Sequence, residues 1–420
     1  MRVGPLRVLM FGWEFPPSIS GGLGVACEGL VRGLLEIDTQ VALVLPRRSA
    51  ATPIENLRII PASEIDRGAR GRRGRGRTSL RVRRITTPLC PYMTTSFDAG
   101  QRRAQGRAGG PGGEPNYGPD LPREVLRYAA AAGRIASRES FDVIHAHDWL
   151  TFLAGVEARR ASGKPLVLHV HATEFDRAGG GGNGFVTAIE RLALATADRV
   201  VAVSGYTAEL VARRYGVPAE RLRVVHNAID PRVLFDDDAS ENRNPLVLFA
   251  GRITSQKGPG YFVEAAARVA AERRDVRFVV AGSGDRMRAM KEHVADRGLR
   301  KRFLFTGFLP TAELDRLYAR ADVYVMPSVS EPFGLTALEA LQHGTPVIVS
   351  RSAGVSEVAP NLLRVEFGDV DDLASKILSV LSFPPLKREL SERGRADARR
   401  LSWRDAAARC VDVYRELVGQ

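Results

Sequence analysis

The chain has 420 residues, 44% hydrophobic and 26% charged, a balance ordinary for a soluble globular protein and a length that predicts two domains of about 200 residues each. The net charge of +13 would point to nucleic acid, but 12 Arg against two Asp between positions 66 and 107 supply +10 of it and leave +3 for everything else. Three scattered cysteines, Cys27, Cys90 and Cys410, argue against a disulfide framework and a zinc site. No apolar run reaches the ~18 residues of a membrane span and no signal-peptide pattern opens the chain, so a cytoplasmic protein is expected.

Residues 7–11 read as a buried strand, followed by Gly12-Trp13-Glu14-Phe15-Pro16-Pro17 and the glycine turn Gly21-Gly22-Leu23-Gly24. A helix follows, with Val25, Ala26, Gly29, Leu30, Gly33 and Leu34 on one face. Strand, glycine turn and helix together let backbone approach a ligand and turn helix N–H groups toward an anion; a tight turn that simply needs glycine reads equally well. The next strand covers 41–46. Residues 66–120, rich in Arg, Gly and Pro, bury too little apolar surface to offset their ordering entropy and read as a disordered insertion. No aromatic lies between Arg67 and Arg84, so a solvated segment is favoured over a nucleic-acid or membrane arm, which stays open.

A helix over about 122–139 leads to a strand ending in His145-Ala146-His147-Asp148-Trp149, and a second strand ends in His169-Val170-His171-Ala172-Thr173-Glu174-Phe175-Asp176. In a parallel sheet such ends share one edge, so His147, Asp148, His171, Glu174 and Asp176 are expected to line a cleft. A metal site would be the competing use of these residues. The sequence reading sets His145 and His147, and likewise His169 and His171, on opposite faces of their strands, so that neither pair chelates one ion and no metal is expected. The glycines of 179–184 read as a lid or a linker, and the acidic stretch 236–244 as the link between domains.

The second half begins with a strand over 245–250 and the loop Gly251-Arg252-Ile253-Thr254-Ser255-Gln256-Lys257-Gly258, where two cations on one glycine-bounded turn suit a diphosphate. Another strand ends at the close-approach turn Gly282-Ser283-Gly284. A strand over 323–327 then delivers Glu331-Pro332-Phe333-Gly334-Leu335-Thr336-Ala337-Leu338-Glu339, the last five opening a helix over 335–342. A carboxylate beside a phosphate-binding helix start repels phosphate, so Glu331 and Glu339 are better matched to sugar hydroxyls, and a group carrying both sugar and phosphate is a nucleotide sugar. The chain closes with an amphipathic helix over 403–417.

In order, Gly21-Gly22-Leu23-Gly24, the His145 and His169 stretches, Arg252 with Lys257, and the run 331–339 resemble retaining GT-B glycosyltransferases of family 4, in the branch with glycogen and starch synthase-like members. The resemblance implies an α/β fold of two Rossmann-like domains facing across a cleft: 1–235 on the acceptor side, 245–400 on the nucleotide-sugar side, and a helix over 401–420 crossing back. It implies that Arg252 and Lys257 hold the donor diphosphate, with backbone of Gly21 and Gly22, the Gly282 turn and the helix start at Gly334, Leu335 and Thr336. Glu331 would bind the donor sugar and Glu339 the ribose. His171 would lie against the transferred sugar, and Asp148 and Glu174 toward the acceptor. It implies transfer of a hexose, most simply glucose, from a nucleoside-diphosphate donor to a glucan or other glycan by front-face displacement, with no cofactor and no metal. Ser18-Ile19-Ser20 stand where glycogen synthases of the neighbouring family carry a Lys, and the Arg/Gly insertion is outside the pattern. Two other readings are an epimerase on the same architecture, for which no acid/base set is evident, and a polyanion-binding protein acting through 66–120.

Overall fold

The computed structural model describes residues 5–17, 19, 21–47, 57–63, 120–178, 182–231 and 244–419. The Arg/Gly-rich insertion, the interdomain linker and the glycines 179–181 lie outside the described residues, apart from Asp120 and Asn244 at their ends.

The first half is a seven-stranded sheet in the order β3-β2-β1-β4-β5-β6-β7, every pairing parallel. Its strands are β1 (Arg7–Phe11), β2 (Gln40–Leu45), β3 (Leu57–Pro61), β4 (Val143–His147), β5 (Leu166–Val170), β6 (Arg199–Ala202) and β7 (Leu222–Val224). Helices α1 (Gly22–Glu36), α2 (Leu121–Ala136), α3 (Asp148–Ser162), α4 (Glu174–Ala178), α5 (Gly184–Thr196) and α6 (Gly205–Tyr215) connect and flank them. A parallel sheet covered on both faces needs strands apolar throughout, and β1 shows how that works. Leu9 and Phe11 enter one core while Val8 and Met10 enter the other, the period-two alternation of a strand.

The second half is a six-stranded parallel sheet in the order β10-β9-β8-β11-β12-β13. It comprises β8 (Leu246–Ala250), β9 (Arg277–Ala281), β10 (Phe303–Gly307), β11 (Val323–Met326), β12 (Val347–Ser350) and β13 (Leu363–Val365), with α7 (Pro259–Glu272), α8 (Met287–Asp296), α9 (Thr311–Arg320), α10 (Leu335–Gln342), α11 (Val370–Ser382) and α12 (Pro384–Arg399). The final helix α13 (Trp403–Val418) leaves this half and packs on the first: Trp403, Ala406, Ala407, Cys410 and Tyr414 share a core with Val8, Met10, Ala26, Leu30 and Leu34. Gly29 and Gly33 make the seat. A Cβ on Gly29 would fall 2.1 Å from Trp403 Cε2, and one on Gly33 2.2 Å from the Trp403 carbonyl oxygen. The architecture is α/β, two Rossmann-like units joined by a helix that crosses back.

Each sheet reverses strand order once, at β1/β4 and at β8/β11. Ligand crevices form outside the carboxyl ends of strands at such switch points. All four strands that bound these points deliver polar or glycine-rich loops.

Candidate functional site

After β1, Gly21 and Gly22 begin α1; after β8 come Arg252 and Lys257; after β11 come Glu331 and Gly334. The fold brings the two sets together. A Cβ on Gly21 would lie 3.9 Å from the Arg252 guanidinium carbon, and one on Gly22 3.7 Å from Leu335 Cδ1. Lys257 and Glu331 form an ion pair, and Ser328 Oγ lies 3.2 Å from the same carboxylate oxygen. Glu331 is buried, its backbone carbonyl accepts from Gly354 N at 3.0 Å, and its position is thereby fixed by main chain as well as side chain.

Gly334 sits at φ +111°, a conformation that side chains rarely adopt, and introduces α10 without a side-chain cap. The start of α10 thus has no side-chain cap, and its first residue, Leu335, lies against Gly22. Thr336 Oγ1 accepts from Tyr324 OH at 2.8 Å, and Glu339 accepts from Tyr318 OH at 3.0 Å. Gly282 is a close-approach glycine, since a Cβ there would meet the Gly251 carbonyl oxygen at 1.9 Å; it lets the loops after β8 and β9 run side by side.

On the other wall, the four histidines form one stacked array at the ends of β4 and β5. His145 and His147 rings lie 4.5 Å apart, and His169 and His171 rings 4.3 Å apart, both stacked. This corrects the expectation that each pair is split between faces: residues two apart along a strand project to the same side. His145 Nε2 meets His169 Nδ1 at 3.2 Å, His147 Nδ1 meets His171 Nε2 at 2.9 Å, and His145 Nδ1 meets the hydroxyl of Tyr414 on α13. Ring nitrogens of His145, His147 and His169 come within 4.8 Å of one another. A bound ion lies in the plane of each imidazole it ligates, which rings stacked face to face do not provide, and two of the nitrogens are spent on each other. Burial holds all four imidazoles neutral: His145, His147 and His169 titrate well below the ordinary range, and His171, also beside the Arg177 cation, is lowered to about 3.

Asp148 and Glu174, expected toward the acceptor, are turned into the fold. Asp148 is 2% exposed and sits at φ +55°, a strained setting for a non-glycine residue. Its Oδ1 accepts from His171 N at 2.7 Å and Ala172 N at 3.2 Å, while Oδ2 accepts from Arg177 at 3.1 Å. Glu174 accepts from Asn183 N at 2.9 Å and lies 3.9 Å from Arg177. Arg177 also meets Glu190 at 3.5 Å and the Ala172 carbonyl at 2.8 Å. Burial pushes the Glu190 carboxyl up to about 7 despite that cation. Arg177 and Asp148 thus clamp the turn that carries His171.

Asp176, five residues on, accepts from Thr173 N at 2.7 Å and from Ser330 Oγ at 2.5 Å, reaching across the cleft to the residue before Glu331. The Arg177 clamp and the Ser330 contact were missed by sequence reasoning. Only the position of Asp176 at a strand end hinted at either.

Among the described residues no helix is long and apolar enough to cross a membrane. Residues 92–233 match the model of Glycosyltransferase Family 4, and 233–397 that of Glycosyl transferases group 1. The chain is 34% identical to the 2-deoxystreptamine glucosyltransferase of Streptomyces kanamyceticus, over 61% of this chain and 73% of that one. It is 26% identical to a glycogen synthase of Mycobacterium tuberculosis, over 97% and 94% of the two chains. Anabaena HepE in complex with UDP-glucose superposes with a TM-score of 0.66 at 17% identity, covering 98% of this chain and 100% of that one. With two parallel-sheet domains meeting at their switch points and both family models aligned along the chain, this protein belongs to the family 4 glycosyltransferases of the GT-B fold, with relatives of the glycogen synthase type.

Proposed function

We propose that the chain is a retaining hexosyltransferase that moves a glucosyl unit from a nucleoside-diphosphate sugar to a glycan hydroxyl. The observation that carries this reading is the meeting of Gly21 and Gly22 with Arg252 and Leu335 beside the Lys257–Glu331 pair and the uncapped start of α10. Two cations and a helix N-terminus converge where a diphosphate would sit, and a buried carboxylate lies next to them where sugar hydroxyls would follow. The relatives named a glucosyltransferase and a glycogen synthase, and the HepE complex with UDP-glucose, favour glucose as the sugar.

In this reading Arg252 and Lys257 hold the diphosphate, Lys257 exchanging its contact with Glu331 for phosphate, and Glu331 then accepts from donor-sugar hydroxyls. Glu339 accepts from ribose hydroxyls. The bond from the anomeric carbon to phosphate oxygen breaks, its electrons leaving with the phosphate. The acceptor oxygen bonds to the same carbon on the same face, and its proton passes to the leaving phosphate. Charge building on that phosphate is met by the two side chains and the α10 amides, so the step needs no metal. His171, neutral and fixed by His147 and Asp148, would present its ring to the transferred sugar.

The test is thermal-shift screening against UDP-glucose, ADP-glucose, GDP-mannose and UDP-GlcNAc, with and without added divalent metal. A donor at ~100 times its dissociation constant stabilises by about 2.7 kcal/mol. One responder without metal is expected, and Lys257→Ala and Glu331→Ala should each abolish its transfer in a folded protein. Turnover near the unmodified level in either variant removes the site assignment.

A further inference from the structure

The two domains are held together by a contact set away from the diphosphate position. Ser204, two residues after β6, caps α6, its Oγ accepting from Thr207 N at 3.0 Å. Its hydroxyl is simultaneously 2.6 Å from the Pro332 carbonyl, in the loop between Glu331 and α10, and Thr207 Oγ1 reaches the same oxygen at 3.3 Å. The second domain answers with Glu357. Its two oxygens accept from the first free amides of α6, Gly205 N at 2.8 Å and Tyr206 N at 2.9 Å, and His226 Nε2 lies 2.8 Å from the same carboxylate. Burial alone would raise the Glu357 carboxyl, but the bonds from His226, Gly205 and Tyr206 together hold it below its usual range. Gly354 of the second domain packs tightly on Ser204 of the first: a Cβ there would lie 2.6 Å from Ser204 Cβ and 2.8 Å from its Oγ.

We propose that Glu357 is a positioning residue for transfer: by capping α6 from the opposite domain it locks the cleft closed and fixes the Glu331–Gly334 loop against Ser204. A carboxylate across a helix start forms charge-assisted bonds that only the closed arrangement can make, so its loss shifts the balance toward open forms in which Glu331 and His171 no longer face one site. Glu357 touches neither sugar nor phosphate in this account, whose catalytic half rests on the donor reading given above.

The experiment compares the full chain with Glu357→Ala and Glu357→Gln by hydrogen exchange of the 203–209 peptide, small-angle scattering and steady-state kinetics. Losing the charged cap should accelerate exchange of that peptide about tenfold or more and enlarge the radius of gyration without donor. The kcat should fall about tenfold, with the KM for donor changed less than about threefold, since the diphosphate contacts remain. Glu357→Gln, which keeps one acceptor oxygen, should recover part of each effect. Unchanged exchange and scattering in a Glu357→Ala protein of unaltered melting temperature would overturn the proposal. Should that variant not fold, Ser204→Ala, which releases Pro332 from the other side, carries the same expectations and the same refutation. Exchange and scattering do not depend on turnover, so absence of transfer from every donor would sink the enzymatic reading while leaving this one to its own readouts.

Discussion

Replacing Arg177 by Met tests the clamp beneath the His171 turn. The Arg177 side chain is 5% exposed, and those of Asp148 and Glu190 2% each. Met fills much of the volume but leaves three carboxylates without their shared cation and the Ala172 carbonyl without its donor. Removing one partner of a buried pair costs about 3–5 kcal/mol. Protonation limits the damage: neutralising a carboxyl whose ordinary value is 4.5 costs about 3 kcal/mol at pH 7, at about 1.4 kcal/mol per unit. The expected loss at pH 7 is therefore about 3–5 kcal/mol. Glu190, at about 7 with Arg177 present, would move higher without it. Between pH 7 and 8 the variant should then lose roughly a further 1 kcal/mol relative to the parent. Urea unfolding followed by tryptophan fluorescence at the two pH values measures both quantities. A loss under about 1 kcal/mol, or one that does not grow with pH, would show that Arg177 is not balancing these carboxylates.

Acidification should destabilise the fold through the histidine array. His171 titrates at about 3 in the folded chain against an ordinary 6.5, so the unfolded chain binds a proton in that window that the folded chain refuses. Its stability contribution, intact above 6.5, falls by about 1.4 kcal/mol per unit below it, roughly 2 kcal/mol by pH 5, and His145, His147 and His169 act in the same direction. Glu190, raised to about 7, works oppositely, since its proton stabilises the fold increasingly from pH 7 down to 4.5, and the raised carboxyls of Glu28, Asp148, Glu174 and Asp176 act in that direction too; the four imidazoles lead between pH 7 and 5 because their unfolded value, 6.5, falls inside that window. Urea midpoints that stay level or rise from pH 7 to 5 contradict this. For the crossing helix, Gly33→Ala sets a methyl 2.2 Å from a backbone oxygen that cannot rotate away, an overpacking cost of about 1–3 kcal/mol that exceeds the ~1 kcal/mol helix-propensity gain. With the cost at the upper end of that range, because the clash is with backbone, the net loss of about 2 kcal/mol should lower the melting temperature by a few °C, and an unchanged melt would mean that α13 tolerates displacement from α1.

What the sequence disclosed were the strand ends. In a parallel sheet every C-terminal end lies on one edge, so Glu331, Lys257, Arg252 and the Gly21 turn could be assigned to a common crevice without coordinates. The histidines were placed at the right edge but on the wrong faces, because an alternation of single residues was taken for one of pairs. The edge strand β3 went unread for a different reason: Leu57-Arg58-Ile59-Ile60 is short, and only its pairing with β2 makes it a strand.

The clamp and the latch had no local signal. Arg177 and Asp148 are 29 positions apart, and Glu357 and Gly205 are 152 apart. Each partner alone is an ordinary charge or backbone amide of a helix or loop; the bonds, 3.1 and 2.8 Å long, exist because chain segments distant in sequence fold together. Composition and periodicity report what one segment needs from water and from its neighbours in line. Which carboxylate completes a helix start in the other domain depends on how the domains meet, and that arrangement turns Glu357 from a surface acid into a residue on which the geometry at Glu331 depends.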